Sequence, residues 1–305
     1  MPEAKDAISA ITKCARKLIA DSGLSEPPFS PSTYAPLRSV QRIVHREMTI
    51  DGRLVPIGDG FIIELRRDQS LGRTNFTCAH ELAHTFFYEL VPTLKSRSLA
   101  RQELQYDAEE ERLCDIAASE LIMPARLFRK IAADFYPSPK SVCLLAKQFE
   151  SSMTATAIRL LDLGIWDVSF ILWEIKNDQP QAKWIAKRNG GLNRRPELKI
   201  LNSRSSSIYQ TFTTTEATSE WEYLITQNGT WPCRVESFRL SSGKVLSCVR
   251  RSTSSGLDHQ RDVMERQRVL PGVYDCTCNG SGWRMTRMQG YVSASHCLAA
   301  THSNP

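Results

Sequence analysis

A chain of 305 residues is long enough for two domains of ordinary size, each able to bury a core of its own. With 41% hydrophobic and 24% charged residues, and only 15 Gly and 15 Pro, the composition excludes a collagen-like, low-complexity or wholly disordered chain. The formal charge of +6 is unevenly placed: residues 1–165 hold 21 Lys plus Arg against 21 Asp plus Glu, whereas residues 166–305 hold 18 against 12. A basic substrate cleft in the first half is therefore not expected, and any acidic or nucleic-acid contact is expected on the second.

Apolar residues at Ala7, Ile8, Ile11, Ala15, Leu18 and Ile19 predict an amphipathic helix over residues 4–22, with Asp21, Ser22 and Gly23 as its exit. Charges scattered through this segment leave no uninterrupted apolar stretch for a signal peptide, and no run in the chain approaches the length of a membrane span. A cytoplasmic protein is expected, with its nine irregularly spaced cysteines mostly as reduced thiols. The loop SEPPFSPSTYAPL, broken by prolines, leads to two predicted strands, Arg53–Ile57 and Gly60–Leu65, across the turn at Gly58 and Asp59. Helices follow over residues 74–90 and 107–121, the second closed by Pro124.

The stretch PSPKSVCLLAKQFESSMTATAIRLLDLG reads as two short helices around Ser151 and Ser152, in the shape of a helix-turn-helix. Its second helix carries only Arg159 as a base, which favours a packing element over a DNA reader. After Trp166 the texture changes to short β-type runs, VSFILWEI, KWIAK, WEYLI, RVESFRL, KVLSCVRR, VYDCTC and YVSAS, separated by turn clusters such as NGGLNRRP and TQNGT. The fold class is α+β: a mainly helical part with a small sheet over residues 1–136, a helical segment over 137–165, and a strand-rich part over 166–305. Trp173, Trp184, Trp221, Trp231 and Trp283 fall in the strand-rich part and are expected in its core, with an aromatic sensor pocket as the alternative.

Chemistry concentrates in His80-Glu81-Leu82-Ala83-His84, inside FTCAHELAHTFF. Residues four apart on a helix sit about 40° from each other around the axis and one turn along it, so both imidazoles can reach one ion. Glu81 then lies beside the ion, placed to take a proton from the attacking water and hand it to the leaving amine of a cleaved peptide bond. Catalytic zinc takes three protein ligands, and His2Glu is an established set, which points to Glu111 in DAEEERLCDIAASELIMP as the third. Asp115, one turn further along the same face, is expected to accept a hydrogen bond from the outer nitrogen of a zinc-binding histidine. Glu109 and Glu110 read as a solvated helix N-terminus favoured by the macrodipole.

Gly72-Arg73-Thr74-Asn75-Phe76-Thr77-Cys78-Ala79-His80-Glu81-Leu82-Ala83-His84, followed by Glu111-Arg112-Leu113-Cys114-Asp115-Ile116-Ala117-Ala118-Ser119-Glu120-Leu121-Ile122-Met123-Pro124, resembles the ImmA/IrrE family of zinc metallopeptidases over residues 5–165. Family members show Arg-x-x-Phe-Thr-x-Ala-His-Glu-Leu-Gly-His and then Glu-x-x-Ala-Asn-x-Phe-Ala with a Leu-Leu-Met-Pro-like tail. Ala83 stands in place of the Gly, Cys114 and Asp115 in place of Ala-Asn, and Ala117 in place of Phe, so different packing behind the ligand helix is expected. The resemblance implies a zincin-like peptidase part with His80, His84 and Glu111 as zinc ligands, Mn2+ as a substitute ion, and Glu81 as the catalytic carboxylate. It also implies a protein substrate, a helix-turn-helix transcriptional repressor whose cleavage relieves repression in a stress response or mobile element. By analogy with a family member that carries a GAF-like sensor, the second half is expected to be a GAF-like sensor or recognition domain. The competing class is a DNA-binding or repressor-sequestering regulator with a structural or vestigial metal site.

Tyr88, Tyr106 and Arg126 are nearest in sequence to the motif as candidates to stabilise an oxyanion, although each residue type is more often packing or surface, so that role stays unassigned. Cys276, Cys278, His296 and Cys297 have an unusual spacing for structural zinc and read as free groups, and His259 and His302 as surface residues.

Overall fold

The computed structural model describes residues 2–90, 108–188, 191–194, 196–201, 203–214, 216–251, 274–279 and 282–287. The first helix, α1 (Pro2–Ser22), turns Ile11, Ala15 and Leu18 into the core. A short α2 (Pro31–Tyr34) runs into a 3-10 turn at Ala35–Arg38, and three strands follow: β1 (Val40–Arg46), β2 (Gly52–Ile57) and β3 (Gly60–Arg66). They pair in the order β1-β3-β2, with β3 parallel to β1 and antiparallel to β2. The second and third match the two predicted strands; β1 is an addition. Its register shifts between Val40 and Arg42, and such a bulge breaks the alternation of apolar and polar residues by which a strand is recognised in sequence.

The inner face of this sheet, Leu54, Ile63 and Leu65, joins the core together with Leu82 and Phe86 of α3 (Leu71–Leu90). On the outer face Glu64 is clamped by Arg46 and Arg53, each at 2.6 Å. Burial alone would raise the Glu64 carboxyl, but the two guanidiniums win and hold it below the usual range. The helix α3 starts three residues before the predicted position. Gly72 explains why its first turn can form there: a Cβ on Gly72 would stand 2.4 Å from the backbone carbon of Ser151, so only glycine lets the turn lie against that loop.

Next come α4 (Ala108–Ile122), α5 (Ala125–Ala132), α6 (Pro139–Gln148) and α7 (Met153–Asp162). Ser138 and Ser152 cap the last two, their side chains accepting from the backbone N–H groups of Ser141 and Ala155. The helix pair expected around Ser151 is present, and it packs: Val142, Leu145, Ala157 and Leu160 are fully buried. Arg159 is turned inward, with only 11% of its side chain exposed, bonding the Met123 carbonyl at 2.9 Å and pairing with Glu120. The single base of this helix is thus held inside the protein, where it meets no phosphate.

The strand-rich part contains β4 (Ser169–Lys176), β5 (Gln179–Lys187), β6 (Gly191–Arg194), β7 (Lys199–Ile200), the short helix α8 (Ser207–Thr211), β8 (Thr218–Thr226), β9 (Gly229–Arg239) and β10 (Val245–Arg251). They form one antiparallel seven-stranded half-barrel in the order β6-β5-β4-β10-β9-β8-β7. A separate hairpin pairs β11 (Tyr274–Asn279) with β12 (Gly282–Arg287). Because successive residues point to opposite faces, β4 buries Phe170 and Leu172 on the main core, and Ile171 and Trp173 on a second core with Ile208 of α8. The main core runs without a break from α1 to β10, and α6 lies on β9 and β10 while α7 lies on β5 and β6.

Two readings of this half need correction. The cluster NGGLNRRP is not only a turn: Gly191–Arg194 forms β6, recruited by the free edge of β5. Trp173 and Trp184 are core residues, but Trp221 and Trp231 are 52% and 54% exposed. Trp221 lies on the face of β8 opposite to the buried Glu222 and Leu224, and Trp231 is among the first four residues of β9, all exposed, toward the turn beyond Cys233 and Val235. Nothing is described of the Trp283 side chain, and YVSAS, His259, His296, Cys297 and His302 lie outside the described residues. Cys276 and Cys278 fall on β11. The described cysteines at 14, 78, 114, 143, 233 and 248 are free thiols, and no described helix is long and apolar enough to cross a membrane.

Candidate metal centre

Two helices build the site. The motif lies in the middle of α3, and α4 packs along it with small residues at the contact: Ala83, Cys114 and Ala117 have no exposed surface. The three departures from the family pattern thus fall on this buried seam or beside it, and none removes a polar side chain from the site.

The geometry brings His80, His84 and Glu111 together. Their donor atoms all lie within 4.8 Å of one another. His80 Nε2 is 3.1 Å from one Glu111 oxygen, and His84 Nε2 is 3.5 Å from the other. A tetrahedral zinc with ligand bonds near 2.0–2.1 Å separates its ligand atoms by about 3.3 Å, so the two imidazole nitrogens and the carboxylate are spaced to hold such an ion. The rings of His80 and His84 stand edge to face with centroids 5.0 Å apart, and the Nε2 of each faces the Glu111 carboxylate.

Behind the ligands stand two further carboxylates. Asp115 bonds His80 Nδ1 at 2.9 Å, as the spacing along α4 predicts. Glu110 bonds His84 Nδ1 at 3.0 Å with 12% of its side chain exposed, so it is a partner of the site and not the solvated helix end expected from sequence. The reason is angular: neighbours on a helix point about 100° apart, and α4 approaches α3 closely enough for Glu110 as well as Glu111 to meet it. Glu109 does match the solvated reading, exposed and bonded to Arg112 at 2.6 Å.

Glu81 is 7% exposed on the same helix. The backbone N–H of Leu54 on β2 lies near enough to its carboxylate to favour the charged form, and a Cβ on Gly52 would stand 3.2 Å from its Oε1. The edge strand β2 therefore borders the site, and Gly52 is needed for that close approach. Burial raises the Glu81 pKa and the nearby Glu111 adds to this, outweighing His84, His80 and the Leu54 N–H. For His80, burial opposes the charged form, yet Asp115, Glu81 and Glu111 together raise its pKa. The carboxylates of the first half thus gather around the ligands, while Arg42, Arg46, Arg53 and Arg66 share the outer face of the small sheet. A net charge of zero along the sequence conceals this separation in space, although Arg46, Arg53 and Arg66 are themselves paired with Glu64, Asp51 and Asp68.

Of the oxyanion candidates, the two that are described are engaged or placed elsewhere. Tyr88 packs edge to face on Phe61, with ring centroids 4.9 Å apart. Arg126 is exposed just beyond the far end of α4, about 17 Å along the helix axis from the level of Glu111. Tyr106 lies outside the described residues. Sequence reasoning missed Glu110, Gly52 and the Leu54 N–H; an acid next to a ligand on the helix that faces the motif was the available signal for the first.

A family model described as the IrrE N-terminal-like domain, of the peptidase M78 family, matches residues 41–161. Among solved structures, a Mycobacterium tuberculosis transcriptional regulator is similar, at 14% identity and a TM-score of 0.50, over 82% of this chain and 81% of that chain. At that identity the likeness concerns the fold. No curated protein matches at a significant level.

Proposed function

From the presence of an IrrE N-terminal-like domain of the M78 peptidase family at residues 41–161, we propose that this chain is a zinc-dependent endopeptidase acting on a protein substrate, a helix-turn-helix transcriptional repressor. The observation that carries the proposal is the convergence of His80 Nε2, His84 Nε2 and Glu111 on one point, with Glu81 beside it. Zinc held there, or Mn2+ in its place, would supply Lewis acidity toward the scissile carbonyl and the attacking water.

The chain's own groups do the rest. Glu81 takes the proton of the attacking water and delivers it to the leaving amine. Asp115 holds a proton on Nδ1 of His80 and so leaves its Nε2 lone pair for the ion. Among the described residues β2 pairs with β3 on one side only, and its other edge would take an extended substrate segment running past Glu81. Cleavage of the repressor would relieve repression in a stress response or mobile element, with the half-barrel recruiting the substrate or sensing the signal. The inward turn of Arg159 supports this reading over a DNA-binding regulator built on the helix pair.

The test is to incubate the full chain and its Glu81→Gln variant with helix-turn-helix proteins encoded nearby, with zinc or manganese present, and to identify fragments by mass spectrometry. Specific cleavage by the wild type alone is the expected outcome. Cleavage of none by a folded, zinc-loaded wild type, or stable complexes with intact repressor, would favour a sequestering regulator instead.

A further inference from the structure

His84 is 4% exposed, and its two ring nitrogens face different acids on α4: Nε2 looks toward Glu111 and Nδ1 toward Glu110. A neutral imidazole has one proton to place on two nitrogens. An acceptor at Nδ1 draws the proton there and leaves Nε2 with the lone pair that a metal requires. From this arrangement we infer that Glu110 is a positioning residue for the metal ligand His84, so that α4 supplies one ligand and the outer anchors of both imidazoles between Glu110 and Asp115. The inference rests on reading His80, His84 and Glu111 as a metal centre.

The two anchors are not equivalent. The Asp115 side chain is 60% exposed, so water competes for the N–H of His80, whereas Glu110 is 12% exposed against a buried His84. Truncating Glu110 takes away an acceptor where water has little access, and a buried polar group deprived of its partner bears most of its desolvation cost. Removing Glu110 should therefore weaken metal binding more than removing Asp115. The competing account, in which Glu110 only complements the helix macrodipole, makes a different prediction: Glu109, closer to the N-terminus, should matter as much, and the His84 tautomer should be indifferent to either.

The experiment measures zinc affinity of the full chain by competition with a chromophoric chelator for wild type, Glu110→Ala, Glu110→Gln, Asp115→Ala and Glu109→Gln. It also reads the His84 tautomer in metal-free protein by long-range proton–nitrogen correlation NMR, a property that a merely structural role would not move. The expected result is one zinc per wild-type chain and an affinity loss of roughly 10- to 100-fold for Glu110→Ala. Asp115→Ala should lose less, Glu109→Gln nothing, and Glu110→Gln, which retains an oxygen acceptor, should recover most of the loss. In metal-free Glu110→Ala the share of Nε2-protonated His84 should rise. Equal zinc affinity in wild type and Glu110→Ala, with an unchanged tautomer, would overturn the role of Glu110 while leaving the metal centre standing. A wild type that binds no zinc would instead overturn the metal centre, and the inference with it. If Glu110→Ala does not fold by circular dichroism, Glu110→Leu, which keeps the volume but offers no acceptor, takes its place: an affinity loss larger than that of Asp115→Ala supports the role of Glu110, and equal zinc affinity with an unmoved tautomer overturns it.

Discussion

Glu120 offers a sharp test of how the metal helix is held. It sits near the end of α4 with 4% of its side chain exposed, and two guanidiniums reach it: Arg16 of α1 at 2.8 Å and Arg159 of α7. The two contacts should differ greatly in weight. Arg16 is 61% exposed, so its pair is screened by water and contributes about 0–1 kcal/mol. Arg159 is 11% exposed, and replacing Glu120 by Gln would take away its closest counter-charge and leave it the Met123 carbonyl and the more distant Asp162 carboxylate. Removing one member of a buried pair costs about 3–5 kcal/mol, a factor of hundreds to thousands in the folding equilibrium. At roughly 2–4 °C per kcal/mol for a chain of this size, Glu120→Gln should lower the melting temperature by about 6–20 °C, and Arg16→Ala by about 0–4 °C.

The two arginines also hold the Glu120 carboxyl below the usual range against the opposing effect of burial. A depressed folded pKa means stabilisation that is complete above the unfolded value, about 4.3, and is lost as pH falls through the folded value. Wild type should accordingly lose stability between about pH 4.5 and the depressed value, with a shallower slope in Glu120→Gln. Urea denaturation at several pH values, followed by circular dichroism, measures both effects. A Glu120→Gln loss below about 1 kcal/mol, or a loss no larger than that of Arg16→Ala, would refute the view that a buried charge is being compensated here.

Three further outcomes are expected. Glu81→Gln should retain zinc, measured by metal analysis of the purified protein, while peptide-bond cleavage falls by about 10²- to 10⁴-fold; His80→Ala should lose both. Gly52→Ala places a Cβ 2.5 Å from Thr77 Cγ2, so β2 must shift away from α3; a stability loss of about 1–3 kcal/mol and a drop in kcat/KM are expected, and unchanged values of both would show that β2 does not set the wall of the site. Tyr34 is fully buried and donates its hydroxyl to the Leu121 carbonyl at 3.2 Å, so Tyr34→Phe should cost about 1 kcal/mol in a denaturant titration without changing zinc content.

Sequence by itself determined the features that depend on local spacing. Residues four apart on one helix must share a face, so His80 and His84 could be paired, and Glu111 with Asp115, before any coordinates were known. The helical first half, the strand-rich second half and the two strands joined at Gly58 and Asp59 follow from the same local periodicities. Tertiary structure decided what depends on how one element meets another. Only the docking of α4 on α3 turns Glu110 from a helix-end acid into the partner of His84, because the angle between adjacent helical side chains has meaning only relative to a neighbour. Only the pairing of β1 with β3 across the bulge at Val40 brings the outward arginines onto one face, and only the register of β8 on β9 turns Trp221 to the outward face and leaves Trp231 toward the open end of the hairpin. Arg159 shows the difference most clearly: as a letter it is the one base of the second helix of a helix-turn-helix, and in the fold it is the buried counter-ion of Glu120, because a charge removed from water is stabilised by the partner that long-range packing brings to it.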